Sequence, residues 1–201
     1  MQQMHLALHG LAIKKHGSPA EVAAIVGLDE GTAASLLDQA AANGRAAKAG
    51  EAKFMLTAPA QMALRMEYGR LYADLRANEA MNAAYDRFEK VNADLKQLIT
   101  DWQTIEVADS RVPNDHADKA YDARIIDRLG ALHEAAEQVI GQMAAHLPRL
   151  KVYTDLLTEA LEKAEDGAHQ WVSDAKLPSY HTVWFELHED LLRVLGRERD
   201  E

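Results

Sequence analysis

Along most of this chain apolar residues recur three and four positions apart, the period of one helix face, and strand-like runs are confined to residues 45–56. The pattern predicts a short amphipathic helix over 5–16, closed by Gly17. Ser18-Pro19-Ala20-Glu21 then offers an N-cap, a first-turn proline and a capping-box glutamate for a second helix that ends near Gly27. Leu28-Asp29 opens a third, which runs through Leu36, Leu37 and Ala40 to Asn43-Gly44. Residues 45–48 and 52–56, separated by Gly50-Glu51, read as the strands of a hairpin. Three helices followed by a small hairpin is the order of a winged helix-turn-helix, expected over 1–57.

Residues 58–201 read as almost entirely helical, and their pieces fit an antiparallel bundle of four to five helices, so the whole chain is expected to be mainly α. One helix is predicted over 58–77 and another over 79–104, with Tyr85, Phe88, Leu95, Leu98, Ile99 and Trp102 along its apolar side. A loop of about a dozen residues containing Pro113-Asn114-Asp115-His116 leads to a long helix over 118–147, ended by Pro148. A helix over 152–166 stops at Gly167, and the loop 173–178 enters the last helix. Wound as a helix, that last segment places His181, Trp184, Phe185, His188, Leu191, Leu192 and Leu195 on one stripe and Glu186, Glu189, Asp190 and Arg193 on the other side. Two imidazoles on an inward face need hydrogen-bond partners, which marks this helix as one wall of a polar-lined site.

Composition narrows the chemistry. The 201 residues, 48% hydrophobic and 27% charged, are ordinary for a globular protein. No apolar run of membrane-spanning length occurs and the N-terminal residues lack the basic-then-apolar order of a secretory signal, so no membrane partner and a cytoplasmic location are expected. With no cysteine, thiolate chemistry is excluded and a metal would have to use His, Asp and Glu. Without a HExxH or Glu-x-x-His pattern, no metal site is expected. The net charge of −10 falls entirely after residue 57, since residues 1–57 hold five basic and five acidic side chains. The third helix carries no Lys or Arg; only Thr32, Ser35 and Gln39 are placed to touch bases, with Arg45, Lys48 and Lys53 on the hairpin to hold phosphates. DNA is therefore a partner only under an alternative reading, a transcription regulator whose helical domain binds a small effector.

Three clusters concentrate groups that cores avoid: Asp101-Trp102-Gln103, then Asn114-Asp115-His116-Ala117-Asp118 with Tyr121 and Asp122 behind, then Tyr180-His181-Thr182 through Trp184 to His188; His133 adds a fourth element on the long helix. Each has a plain structural reading: Asp115 and Asp118 as helix caps, Trp102, Trp184 and Phe185 as core, His133 as a satisfied core histidine. Each also has a chemical one, because an imidazole such as His116 or His181 is the side chain best tuned for proton transfer near neutral pH. No phosphate-cradling glycine loop or nucleotide-binding sheet is present, so no cofactor is expected in this chain.

The runs Asp101-Trp102-Gln103, Pro113-Asn114-Asp115-His116, Ala120-Tyr121-Asp122 and 179–192 resemble a helical module found with, or fused to, bacterial enzymes similar to pyruvate phosphate dikinase and phosphoenolpyruvate synthase, where a small winged helix often precedes it. Such enzymes divide the work among an ATP-grasp domain, a domain whose histidine is phosphorylated, and a domain that receives the phosphoryl group. The resemblance implies an accessory or acceptor-binding subunit, not catalytic alone, whose larger ATP-grasp/phosphohistidine partner binds ATP and Mg. Two-component relatives phosphorylate phenolic compounds. A small aromatic substrate would then be held by Trp102, Gln103, Asn114, Asp115, Tyr121, His133, Tyr180, Trp184 and His188, with His181 and His116 as catalytic candidates. A bundle serving only for homodimerisation is the third expectation.

Overall fold

The computed structural model describes residues 3–50, 52–107 and 110–198. Among the described residues are ten α-helices and two short antiparallel hairpins, so the chain is mainly helical. It divides into two compact units, residues 1–78 with 186–201 and residues 79–185. The boundary expected at 57/58 follows chain order, where Thr57 begins a new helix; the units follow contacts and bring the end of the chain back to its beginning.

The first unit opens with α1 (Gln3–Lys14), α2 (Pro19–Val26) and α3 (Glu30–Ala42). Local chemistry sets their ends. Ser18 and Glu21 close a reciprocal capping box on α2, Gly27 ends it at φ 70°, and the Asp29 side chain accepts from Thr32 N–H to start α3. Gly17 does not cap α1 as expected. The left-handed residue there is Lys15, and Gly17 instead pairs as a β-bridge with Phe54. α1 packs on α2 at Gly10, where an added Cβ would stand 2.9 Å from the γ-methyls of Val22 and Val26. β1 (Ala46–Ala49) pairs with β2 (Lys53–Leu56), Ala46 opposite Leu56; the expected turn residue Glu51 lies outside the described residues. The helix expected over 58–77 is interrupted at Tyr72, giving α4 (Ala58–Leu71) and α5 (Ala73–Ala77).

The second unit is built on α6 (Glu79–Gln103), whose Tyr85, Phe88, Leu95, Leu98, Ile99 and Trp102 are buried as the periodicity predicts. The expected loop after it is instead a hairpin, β3 (Thr104–Val107) with β4 (Ser110–Pro113), in which Ile105 pairs with Val112. Pro113, which has no N–H to donate, sits at the end of an edge strand where none is needed. α7 (Lys119–Ala144) packs on α6 and on α8 (Lys151–Glu165), which follows a 3-10 turn at Pro148–Leu150. A further short helix, α9 (Gln170–Ser173), precedes α10 (Tyr180–Leu195). α10 gives its first residues to this unit and the rest to the other. The sides of α10 do not separate as expected: Phe185 is 38% exposed, whereas Glu186 and Asp190, assigned to the polar side, are buried.

Candidate functional site

Four segments of the second unit converge where α6 ends and α7 begins. Asn114 ties them together. Its N–H donates to Gln103 O at 2.9 Å and its Nδ2 to Trp102 O at 3.0 Å, satisfying carbonyls that the end of α6 leaves without partners, while the same Nδ2 lies 3.1 Å from Asp122 Oδ1. Asn114 Oδ1 accepts from His116 N–H at 3.0 Å and Asp115 Oδ1 from Ala117 N–H at 3.0 Å, so two successive side chains turn the loop. The turn leaves His116 at φ 58°, a left-handed conformation that costs a non-glycine residue about 1–2 kcal/mol. Asp118 then caps α7, accepting from the N–H groups of Ala120 and Tyr121.

The strained backbone presents the His116 ring to a buried carboxylate. His116 Nδ1 lies 3.1 and 3.2 Å from the two oxygens of Asp122, which is fully buried. A carboxylate oxygen accepts, so Nδ1 carries the proton and donates. The 3.2 Å approach of Asn114 Nδ2 to the same nitrogen is then a contact between two donors sharing one acceptor. In the neutral ring Nε2 is left with its lone pair, and the His116 side chain is 36% exposed. Trp102 lies against it with ring centroids 4.5 Å apart and meets His169 edge-on at 5.8 Å. His169 Nδ1 stands 4.0 Å from Asp122 Oδ2, so a second imidazole borders the same carboxylate. His169 was not among the sequence candidates; it sits between Gly167 and α9, and only the fold reveals its neighbour.

Beside this dyad is a cavity of about 390 Å³ whose wall includes Asn114, Asp115 and Tyr121. Asp101, Glu106, Asp115 and Asp118 line it against Arg111 alone, which makes it hospitable to a neutral or cationic guest and unfavourable to an anion. The Tyr121 hydroxyl donates to Asp101 O at 2.8 Å, fixing one wall, and Asp101 is held by Arg128 at 3.0 Å. The Gln103 side chain is exposed. Among the described residues no cluster of three or more His, Asp or Glu side chains is arranged to hold a metal ion.

The other candidates stand apart from the dyad. The Thr158 hydroxyl donates to Thr154 O at 2.9 Å, so it accepts from His133 Nε2–H at 3.2 Å, and His133 Nδ1 must accept from the Tyr180 hydroxyl at 3.1 Å. Every polar atom of that chain is used. Burial holds His133 below the ordinary histidine pKa and pushes the Tyr180 hydroxyl well up. Trp184 donates to Asn92 Oδ1 at 3.0 Å and stacks on Phe88 with centroids 4.8 Å apart, as a core tryptophan does. His181 is half-buried, which lowers its pKa; among the described residues no hydrogen bond, ion pair or ring contact links it to His116 or Trp102. His188 is buried in the first unit.

That unit has its own polar core, which periodicity did not reveal. Fully buried His9 lies between Tyr68 Oη at 2.8 Å and fully buried Asp190 at 3.0 Å. Lys14 Nζ reaches both Glu186 oxygens at 2.6 and 2.8 Å; burial raises the Glu186 pKa, and Lys14 opposes that rise. Of the residues considered for DNA, Ser35 and Gln39 are exposed and Thr32 half-exposed. The hairpin cations each face an acid: Lys48 with Asp38 at 3.5 Å, Lys53 with Glu21 at 3.1 Å, Arg45 with Glu67 at 3.8 Å. Comparison with family models, curated proteins and solved structures finds no match to this chain.

Proposed function

We propose that the protein is an acceptor-binding accessory subunit of a dikinase-like phosphotransferase, acting on a small phenolic compound. The observation that carries this reading is the His116–Asp122 dyad: a half-exposed imidazole with its lone pair on the outer nitrogen, oriented by a buried carboxylate and backed by a tryptophan face. An aromatic acceptor held at the exposed side of the His116 ring would give its hydroxyl proton to His116 Nε2; Trp102, itself buried, backs the ring from within. The acceptor's oxygen bonds to phosphorus as the bond from phosphorus to the partner's histidine nitrogen breaks, and the bonding electrons stay with that nitrogen. The neighbouring acidic cavity, lined by Asn114 and Asp115 but by neither His116 nor Trp102, disfavours the phosphoryl group, so in this reading that group arrives with the partner's own Mg. The likeness of the Trp102, His116 and 179–192 runs to dikinase-associated modules supplies the phosphoryl donor. In this reading the first three helices and hairpin form a winged helix, α6, α7, α8 and the start of α10 form the bundle, and the subunit works in the cytoplasm. No described helix is long and apolar enough to cross a membrane.

The test is reconstitution. The tagged chain is used to capture an ATP-grasp or phosphohistidine protein from its own cell extract, and the pair is assayed with ATP and a phenol. The reading expects His116→Ala to lower turnover at least 100-fold. Turnover like the parent's, or a chain that comes out without such a partner, overturns it. The exposed Ser35 and Gln39 on α3 support a second reading as a DNA-binding regulator. That one expects a sequence-specific gel shift that weakens steeply with salt, where the subunit reading expects no shift.

A further inference from the structure

A second cavity, of about 450 Å³, lies wholly within the unit of residues 1–78 and 186–201, and its chemistry is opposite to that beside the dyad. Among the described residues Arg65, Arg76, Arg193 and Arg197 line it against Glu189 and Glu198, an excess of two positive charges in a chain whose net charge is −10. Guanidinium groups stay charged at every accessible pH, so this excess favours an anion.

Their arrangement is prepared for that. Arg76 donates from Nε to Val194 O at 2.9 Å and from Nη2 to Arg193 O at 3.1 Å, covering the carbonyl end of α10, whose partial negative charge would repel an anion. Its guanidinium lies over Gly196, where a Cβ would approach within 2.7 Å and where φ is 67°, so the site depends on glycine there. Arg193 binds Glu189 through Nη2 at 2.7 Å, yet its Nε–H is buried with no acceptor. A buried donor without a partner costs about 1–3 kcal/mol, which an incoming oxygen would recover. Exposed Arg65 has no ion pair among the described residues. Tyr68 and Leu192 complete the wall; the Tyr68 hydroxyl is engaged by His9, so its ring is what the wall offers.

We infer that this cavity binds the phosphomonoester of a small organic molecule. Guanidinium forks match phosphate oxygens in pairs, a dianion answers the twofold excess of charge, and the volume beyond the phosphate accommodates an organic body against Tyr68 and Leu192. The inference is independent of the dyad, because it involves no residue of 79–185.

The test titrates the full chain with phenyl phosphate, inorganic phosphate and benzoate, each against sodium chloride of equal ionic strength. Melting temperature and the Arg Nε–Hε resonances are followed. Phenyl phosphate is expected to stabilise saturably, at least tenfold tighter than inorganic phosphate or benzoate, and to move the Arg193 Nε–Hε signal. Arg65→Gln/Arg197→Gln, at two exposed positions, is expected to weaken it at least tenfold. Arg65→Gln alone gives the same direction and is scored if the double variant melts early. No saturation above the chloride control overturns the inference, as does undiminished binding by Arg65→Gln or a static Arg193 signal. Equal affinity for benzoate would overturn the choice of phosphate, and equal affinity for inorganic phosphate would overturn the organic body.

Discussion

Replacing Asp122 by Asn changes the His116 dyad by one atom type and leaves its shape intact. Asp122, itself fully buried, accepts from His116 Nδ1 at 3.1 Å and from Asn114 Nδ2 at 3.1 Å. Hydrogen bonds to a charged group contribute about 1.5–3 kcal/mol and neutral ones about 0.5–1.5. Exchanging two of the first kind for two of the second costs about 2–3 kcal/mol. For a chain of this length that lowers the melting temperature by about 4–12 °C. The deeper consequence concerns the proton. The amide oxygen would take the place of Oδ1, which accepts from both Nδ1 and Asn114 Nδ2, because the reversed amide would set its NH2 against the Asn114 NH2. The proton should therefore stay on Nδ1 and leave Nε2 as the open base. Long-range 1H–15N spectra of the two ring nitrogens distinguish the tautomers directly, and denaturant melts give the stability. A variant that moves the proton to Nε2, or that melts with the parent, would refute the reasoning, since the shared acceptor or the charge of Asp122 would then not be what holds the ring.

Three further outcomes follow from the same kind of argument. His116→Gly should be about 1 kcal/mol more stable than His116→Ala in denaturant melts, because both lose the ring but only alanine keeps the strain at φ 58°. Gly10→Ala places a methyl 2.9 Å from two stiff valine γ-carbons and 3.3 Å from Val22 O; overpacking of about 1–3 kcal/mol exceeds the roughly 1 kcal/mol of helix propensity gained, so calorimetry should show a lower melting temperature. Burial keeps His133 neutral in the fold, whereas the unfolded chain takes a proton below about pH 6.5. The His133 contribution is therefore intact above that pH and lost as pH falls through the depressed folded value, at up to about 1.4 kcal/mol per pH unit. His133→Gln should flatten the acid limb of a stability-versus-pH curve, and an unchanged slope would contradict the assignment.

What the sequence disclosed and what it hid divide by the distance over which the physics acts. Ser18 with Glu21, Asp29, Gly27 and Asp118 act within one turn of themselves, and their caps were legible. The apolar side of α6 was legible too, because a helix wound alone already collects Tyr85, Phe88 and Trp102 on one line. The Asn114-Asp115-His116 cluster could be singled out as chemically rich, but not its orientation, which depends on Asp122 and on carbonyls at the end of α6. The buried acids of α10 were hidden. Their partners, Lys14 for Glu186 and His9 for Asp190, lie at the other end of the chain, so periodicity could only class both acids as solvent-facing. The hairpin at 104–113 went unseen because four-residue strands carry too few positions for a period, and Pro113 reads as a loop signal unless its edge position is known.

Three histidines in this protein sit in near-complete hydrogen-bond chains, and what separates them is the state of the ring's second nitrogen. His9 is closed between Tyr68 and Asp190, and its ring has no exposure through which a guest could enter. His133 is closed between Tyr180 and Thr158 and pays for burial with a lowered pKa. Both arrangements satisfy the imidazole inside the fold, which is what a structural histidine requires. At His116 the same economy is not completed: the carboxylate, the asparagine and a left-handed backbone are all spent on one side of the ring, and the other side is turned outward beside Trp102. In the proposed reading that outward nitrogen is the one an acceptor hydroxyl would meet, and the left-handed backbone at φ 58° keeps it facing there.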